Sequence, residues 1–161
     1  VKKTTAFAIV MPGALAIAFA LTACSSPEKE QRAEQRLERN QAGLSTAQHD
    51  ATVDCSSTAQ CDSAWALTKR YIEQHSSTSV TRADAFAIDT DVPSGSGDPA
   101  YSATRVAKGS GGAATLTLYA QCRGMYGPND TKASDYNECA EKIIKIQNGY
   151  VDFLRSHLPG Q

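Results

Sequence analysis

An excess of charge of one sign is absent from this chain: 16 Lys and Arg stand against 17 Asp and Glu, a formal net charge of −1 over 161 residues. Nucleic-acid-binding domains usually carry a basic footprint, so no nucleic acid partner is expected. Aromatic residues are sparse at 7%, with one Trp, and no Cys-x-x-Cys pair occurs among the five cysteines. Zinc ribbons and dithiol redox sites use that spacing, so neither a metal nor a redox-active pair is expected. Length excludes a large multidomain enzyme, because the chain suits about one domain of roughly 100–200 residues. With 41% hydrophobic and 20% charged residues, what remains is a small folded domain. It is not a collagen, a coiled-coil rod or a disordered tail.

Patterns that carry chemistry are missing as well. Ser94-Gly95-Ser96-Gly97 is not the Gly-x-Ser-x-Gly of a nucleophile elbow. Gly109-Ser110-Gly111-Gly112 lacks the Lys-Ser/Thr that completes a phosphate loop, and a hairpin turn accounts for its glycines. His49 falls in a polar segment, while His75 and His157 fall at helix ends, where the helix dipole favours a structural role. Asp89-Thr90-Asp91 opens like a calcium loop. Pro93, Ser94 and Ala100, however, occupy places where such a loop needs a ligand, a glycine and a glutamate. Loose cation binding by Asp89, Asp91 and Asp98 stays open as an alternative. No enzymatic activity and no cofactor are expected.

What is there begins at the N-terminus. Lys2 and Lys3 precede an uncharged apolar run, Ala6 to Leu21, broken by Pro12-Gly13 and leaving through the small residues Thr22-Ala23. A transmembrane helix needs about 20 apolar residues, and the central Pro-Gly and small-residue exit suit a secretory signal better. Leu21-Thr22-Ala23-Cys24 resembles the lipobox of bacterial lipoproteins. The resemblance covers only this N-terminal segment. It implies removal of residues 1–23 as a signal peptide and attachment of diacylglycerol, and often a further acyl chain, at Cys24. Two or three chains anchor stably, since each buried methylene contributes about 0.8 kcal/mol. Ser25 stands where an aspartate retains such proteins in the inner membrane. The implied address is therefore the outer membrane, facing the periplasm.

Residues 24–54 are expected to be the acylated cysteine and a polar, charged tether. Glu30/Glu34, Arg32/Arg36 and Glu34/Glu38 place like charges four apart, which weakens a helix. A partner-docking or coiled-coil helix would have only Ala33 and Leu37 to serve it. Residues 55–158 are expected to be a single α+β periplasmic domain. Ser57 and Gln60 have capping-box spacing ahead of a helix over about 58–75, with Cys61, Ala64, Trp65, Thr68, Tyr71 and Ile72 on one side. Three strands follow, at Val80–Asp89, Tyr101–Lys108 and Ala114–Cys122, the last two joined by the glycine-rich turn into a hairpin. A final helix, capped at Ser134 or Asp135 and stopped by Pro159-Gly160, carries an apolar stripe from Tyr136 through Ile143 to Leu154. The predicted fold is thus helix-strand-strand-strand-helix, a small antiparallel three-stranded sheet flanked by both helices and stapled by disulfides.

Once Cys24 is set aside, Cys55, Cys61, Cys122 and Cys139 leave an even number in a chain bound for an oxidising compartment. Locality favours Cys55–Cys61 with Cys122–Cys139, while Cys61–Cys139 is the main rival. Arg123, Met125 and Tyr126, in a loop next to Cys122, are the expected contact surface for an envelope protein partner. The expected role is a membrane-anchored structural or interaction module, with a periplasmic binder of peptide, glycan or metal, or a small hydrolase, as alternatives.

Overall fold

The structure, a computed structural model, describes residues 26–158. The signal segment, Cys24 and Pro159-Gly160 therefore lie outside the described residues. The order of elements is α1 (Pro27–Asp50), β1 (Thr52–Cys55), α2 (Thr58–His75), β2 (Val80–Ala83), β3 (Ala87–Thr90), β4 (Pro99–Lys108), β5 (Ala113–Cys122), a single 3-10 turn (Pro128–Asp130) and α3 (Tyr136–His157). The strands form one antiparallel sheet in the order β1-β5-β4-β3-β2.

Three strands were expected and five are present, for two local reasons. The segment Val80–Asp89 is a hairpin, β2–β3, not a single strand. Its turn is made by a side chain instead of by glycine or proline: the Asp84 carboxylate accepts the backbone N–H groups of Phe86 (2.8 Å) and Ala87 (2.9 Å) and the Arg82 guanidinium (2.7 Å). The fifth strand, β1, is four residues long and pairs with Ala114–Thr117 of β5. Three of its four residues, Thr52–Asp54, fall inside the stretch expected to be tether.

The same stretch holds the larger departure. Residues 27–50 form one continuous helix that packs along α3. Its inward stripe is Leu37, Asn40, Leu44 and Ala47, spaced three and four apart, with Ala51 following. Arg36 grips Glu141 with two bonds (2.7 and 2.9 Å), and the Asn40 amide donates to the Asn137 side chain (2.8 Å). Of the like charges four apart, Glu30, Arg32, Glu34 and Glu38 are exposed, and Arg36 is matched by Glu141.

The core lies between the sheet and the helices α2 and α3. Ile88, Ala103, Leu116 and Leu118 on one face of the sheet meet Ala64, Tyr71, Ile72, Tyr150 and Leu154. Trp65, on the apolar side of α2, is only partly buried and ties its indole N–H to the Asp84 carbonyl (2.8 Å). Ser57 caps α2 by accepting from the Gln60 N–H (3.3 Å), and Gln60 reaches back to the Ser56 N–H (2.8 Å). Gly149 permits the close crossing of α2 and α3. A Cβ there would lie 2.9 Å from the Tyr71 hydroxyl oxygen, which donates to the Ile146 carbonyl (2.7 Å). Cys55–Cys61 and Cys122–Cys139 are the disulfides, with Cα separations of 5.2 and 6.2 Å.

The Asp84 turn gives an acid signature. Two backbone N–H groups and Arg82 hold its carboxyl at about 2, well below its ordinary 3.8, with the Phe86 N–H the largest cause. A depressed folded-state value means the turn's contribution is complete above about pH 4 and fades as pH falls toward 2. Asp84→Asn keeps an acceptor for the turn but cannot titrate. Its thermal midpoint should fall less steeply than the wild type's on acidification through that window, and parallel curves would refute the assignment.

Candidate functional site

Beyond Thr52, β1 stops pairing and leaves the upper half of β5 with a bare edge. That edge is satisfied in another way. The Leu118 N–H donates to the Ala51 carbonyl (2.9 Å), and the Leu118 carbonyl accepts from the amides of Gln48 (3.3 Å) and Gln147 (3.1 Å). Gln147 also donates to the Gln48 side chain (2.8 Å), so α1, α3 and β5 are tied at one point. The Gln147 Oε1 oxygen is buried and has no hydrogen-bond partner among the described residues.

Next to this junction a cleft of about 480 Å³ opens. Strand register places Asp89, Ser102 and Tyr119 in one row on the face opposite Ile88, Ala103 and Leu118. Tyr119 is 43% exposed, and Tyr126, 47% exposed, faces the same cleft from the loop after β5. The loop is held in shape rather than slack. Tyr126 pairs with Lys132, the Ala133 N–H donates to the Met125 carbonyl (3.1 Å), and the Tyr126 ring meets the edge of Tyr136 at 5.7 Å.

Of the three residues expected to form a contact loop, the structure presents two. Tyr126 and Arg123 are exposed. Met125 is buried, its thioether 3.6 Å from the Cys139 sulfur, because the disulfide pulls the loop against α3. The aspartates of the acidic segment do not converge. Asp89 faces Arg82 (3.8 Å), Asp91 accepts from the Val92 N–H (2.9 Å), and Asp98 is paired with Lys142 (2.9 Å). Among the described residues no cluster of three or more His, Cys, Asp or Glu is placed to hold a metal. His75 and His157 each donate from Nδ1 to the carbonyl four residues earlier (2.8 Å), while His49 pairs with Asp50.

A second and larger opening, about 800 Å³, was not foreseen. It lies between the C-terminal end of α2, the outer side of α3 and the start of β4. Tyr71, Tyr101, Ile146 and Phe153 give it apolar walls, and Lys145 and Asp152 stand on its rim. Tyr71 and Tyr101 were visible in the sequence only as members of separate apolar patterns. What would have flagged them is that both are tyrosines, which when buried usually need a partner for the hydroxyl.

No protein-family model matches the chain, and no curated protein or solved structure shows significant similarity to it.

Proposed function

We propose that the chain is a lipid-anchored cell-envelope lipoprotein that works by binding a protein partner, not by catalysis. The observation that carries this reading is Leu21-Thr22-Ala23-Cys24 at the exit of an uncharged apolar run. The outer membrane, facing the periplasm, is the address that Ser25 favours. Two disulfides suit an oxidising compartment. His75 and His157 turn Nδ1 to the carbonyl four residues earlier and His49 pairs with Asp50, contacts that suit structural roles at helix ends.

Anchoring has a geometric consequence. The helix α1 starts three residues after Cys24 and runs parallel to α3, Arg36 against Glu141 and Gln48 against Gln147. Only its first turns, about nine residues or roughly 14 Å of helix, precede the contact with α3. The domain is therefore carried on a stiff stalk, close to the bilayer, with the Arg123–Tyr126 loop toward the anchored end. The contact surface is the cleft between Tyr119 and Tyr126, whose rings supply rigid amphipathic area at low entropic cost.

Crosslinking in the native envelope, with Cys24→Ser as control, tests both parts. Cys24→Ser should move the protein from membranes into the soluble fraction. Continued membrane attachment would make the uncut apolar run the anchor. One stoichiometric protein should be recovered with the wild type and lost with Tyr119→Ala/Tyr126→Ala. No protein partner in any form would sink the interaction reading.

A further inference from the structure

We propose that the cleft between α1 and the upper half of β5 takes an extended peptide segment of a protein partner, held through its backbone on the free edge of β5. This rests on the reading of the Tyr119–Tyr126 cleft as a contact surface and names what enters it.

The edge is the first observation. β1 pairs with β5 only from Ala114 to Thr117. The Leu118 N–H points outward to the Ala51 carbonyl (2.9 Å), and the Leu118 carbonyl takes the amides of Gln48 and Gln147. Backbone groups alternate in direction along an antiparallel strand, so Ala120, two residues on, turns its N–H and C=O to the same edge. β1 ends short of them, and no turn bond reaches them among the described residues. At Cys122 the edge is closed again, its carbonyl accepting the Met125 N–H (3.4 Å). One backbone donor and one backbone acceptor are thus left open between two satisfied positions.

The second observation is independent of the strand. Gln147 is 1% exposed, and its Oε1 is the one buried side-chain polar atom without a partner among the described residues. Its amide nitrogen is already used, donating to Gln48 (2.8 Å) and to the Leu118 carbonyl (3.1 Å). The same side chain lines the cleft, as does Ala120. A buried acceptor left unmade is costly, and this one asks for an N–H. A lone cation would serve Gln147 but not the Ala120 N–H, and a lone anion the reverse. A helix keeps its N–H and C=O groups for itself. An extended backbone offers both kinds of group in alternation and suits both residues.

Charge does not choose the occupant. Asp89 is the single charged residue lining the cleft, and Arg82 faces it at 3.8 Å. Side chains do the selecting, because an added strand sends alternate residues to opposite faces. One set meets Leu44 and Ile143 on the helix side, and the other meets Tyr119 and Gln121 on the open face of the sheet. About 480 Å³ has room for a short segment.

Amide-resolved NMR titration of the soluble form of the full chain carrying Cys24→Ser tests this, with acetyl-Thr-Val-Thr-Val-Thr-amide as the probe. The Ala120 amide should shift saturably, and its hydrogen exchange should slow about tenfold or more at saturation. N-methylating every peptide nitrogen should abolish binding, whereas methylating alternate nitrogens leaves one edge free and should preserve it. Ala120→Pro removes the outward N–H and no bond to β4, a placement that an edge tolerates. It should raise the Kd about tenfold, and if it does not fold the methylated peptides decide alone. An Ala120 amide that neither shifts nor gains protection would overturn the proposal, as would equal binding of the fully methylated peptide. Crosslinking that recovers a partner while the methylated peptide binds undiminished would keep the contact surface and remove the strand. Protection of Ala120 with no partner recovered would do the opposite.

Discussion

Ala47→Asp should destabilise the domain by about 3–5 kcal/mol, a large share of the roughly 5–15 kcal/mol that folded domains possess. Ala47 sits on α1 with no exposed surface, where the helix meets the core beside Gln48 and Gln147. A carboxylate there would leave water for a position with no exposed surface. It must either remain charged in a poor dielectric or take up a proton at a cost, and it is also larger than the space it enters. For a domain of this size the thermal midpoint should drop by on the order of 10–20 °C. Glu34→Ala, on the exposed side of the same helix, should change stability by no more than about 0.5 kcal/mol. The pair of variants separates a packed helix from a solvated tether, because a tether would tolerate both. A silent Ala47→Asp, measured by denaturant unfolding of the full chain, would detach α1 from the fold.

That α1 was read as a tether shows where the sequence speaks and where it does not. Its inward stripe is made of two leucines, two alanines and an asparagine, Leu37 to Ala51, and begins inside the charged run, with Glu38 and Arg39 following Leu37. Small residues bury little area each, so they scarcely alter a hydropathy profile, yet they are what lets two helices approach closely. Gly43, whose added Cβ would lie 2.7 Å from the Ile144 side chain, belongs to the same surface. The helix α2 and the β4–β5 hairpin were legible because their signals are local: a capping serine with Gln60, and a glycine turn. At Gly112 that turn has φ +77, and a Cβ would collide with Thr58. The β2–β3 turn was hidden because an aspartate side chain does there what glycine usually does.

The two openings divide in the same way. The exposure of Tyr126 is legible because a loop bounded by Gly124 and Gly127-Pro128 can be read from residue types alone. Met125 differs from it by one position and is buried against α3 beside the Cys122–Cys139 bridge. The larger opening needed tertiary information altogether. Tyr71 on α2, Tyr101 on β4 and Lys145 on α3 come from three elements, and no spacing along the chain relates them.

Removing the Cys122–Cys139 bridge should cost more than removing Cys55–Cys61, and the difference has two sources. Its sequence separation is 17 against 6. In the chain-entropy account the longer loop contributes about 3 kcal/mol and the shorter about 2. The second source is packing. Cys122 and Cys139 form a core cluster with Met125, Tyr136, Ala140 and Ile143, against which Leu37 and Leu44 of α1 lie, whereas Cys55 and Cys61 meet only Ala114 in theirs. Cys122→Ala/Cys139→Ala therefore loosens the loop that carries Tyr126 and part of the seat of α1. It should lose about 3–5 kcal/mol, with Met125 becoming open to peroxide oxidation. Cys55→Ala/Cys61→Ala should lose about 2 kcal/mol and leave Met125 protected. Equal losses, or a Met125 that stays protected in both, would mean that the loop keeps its place without the bridge.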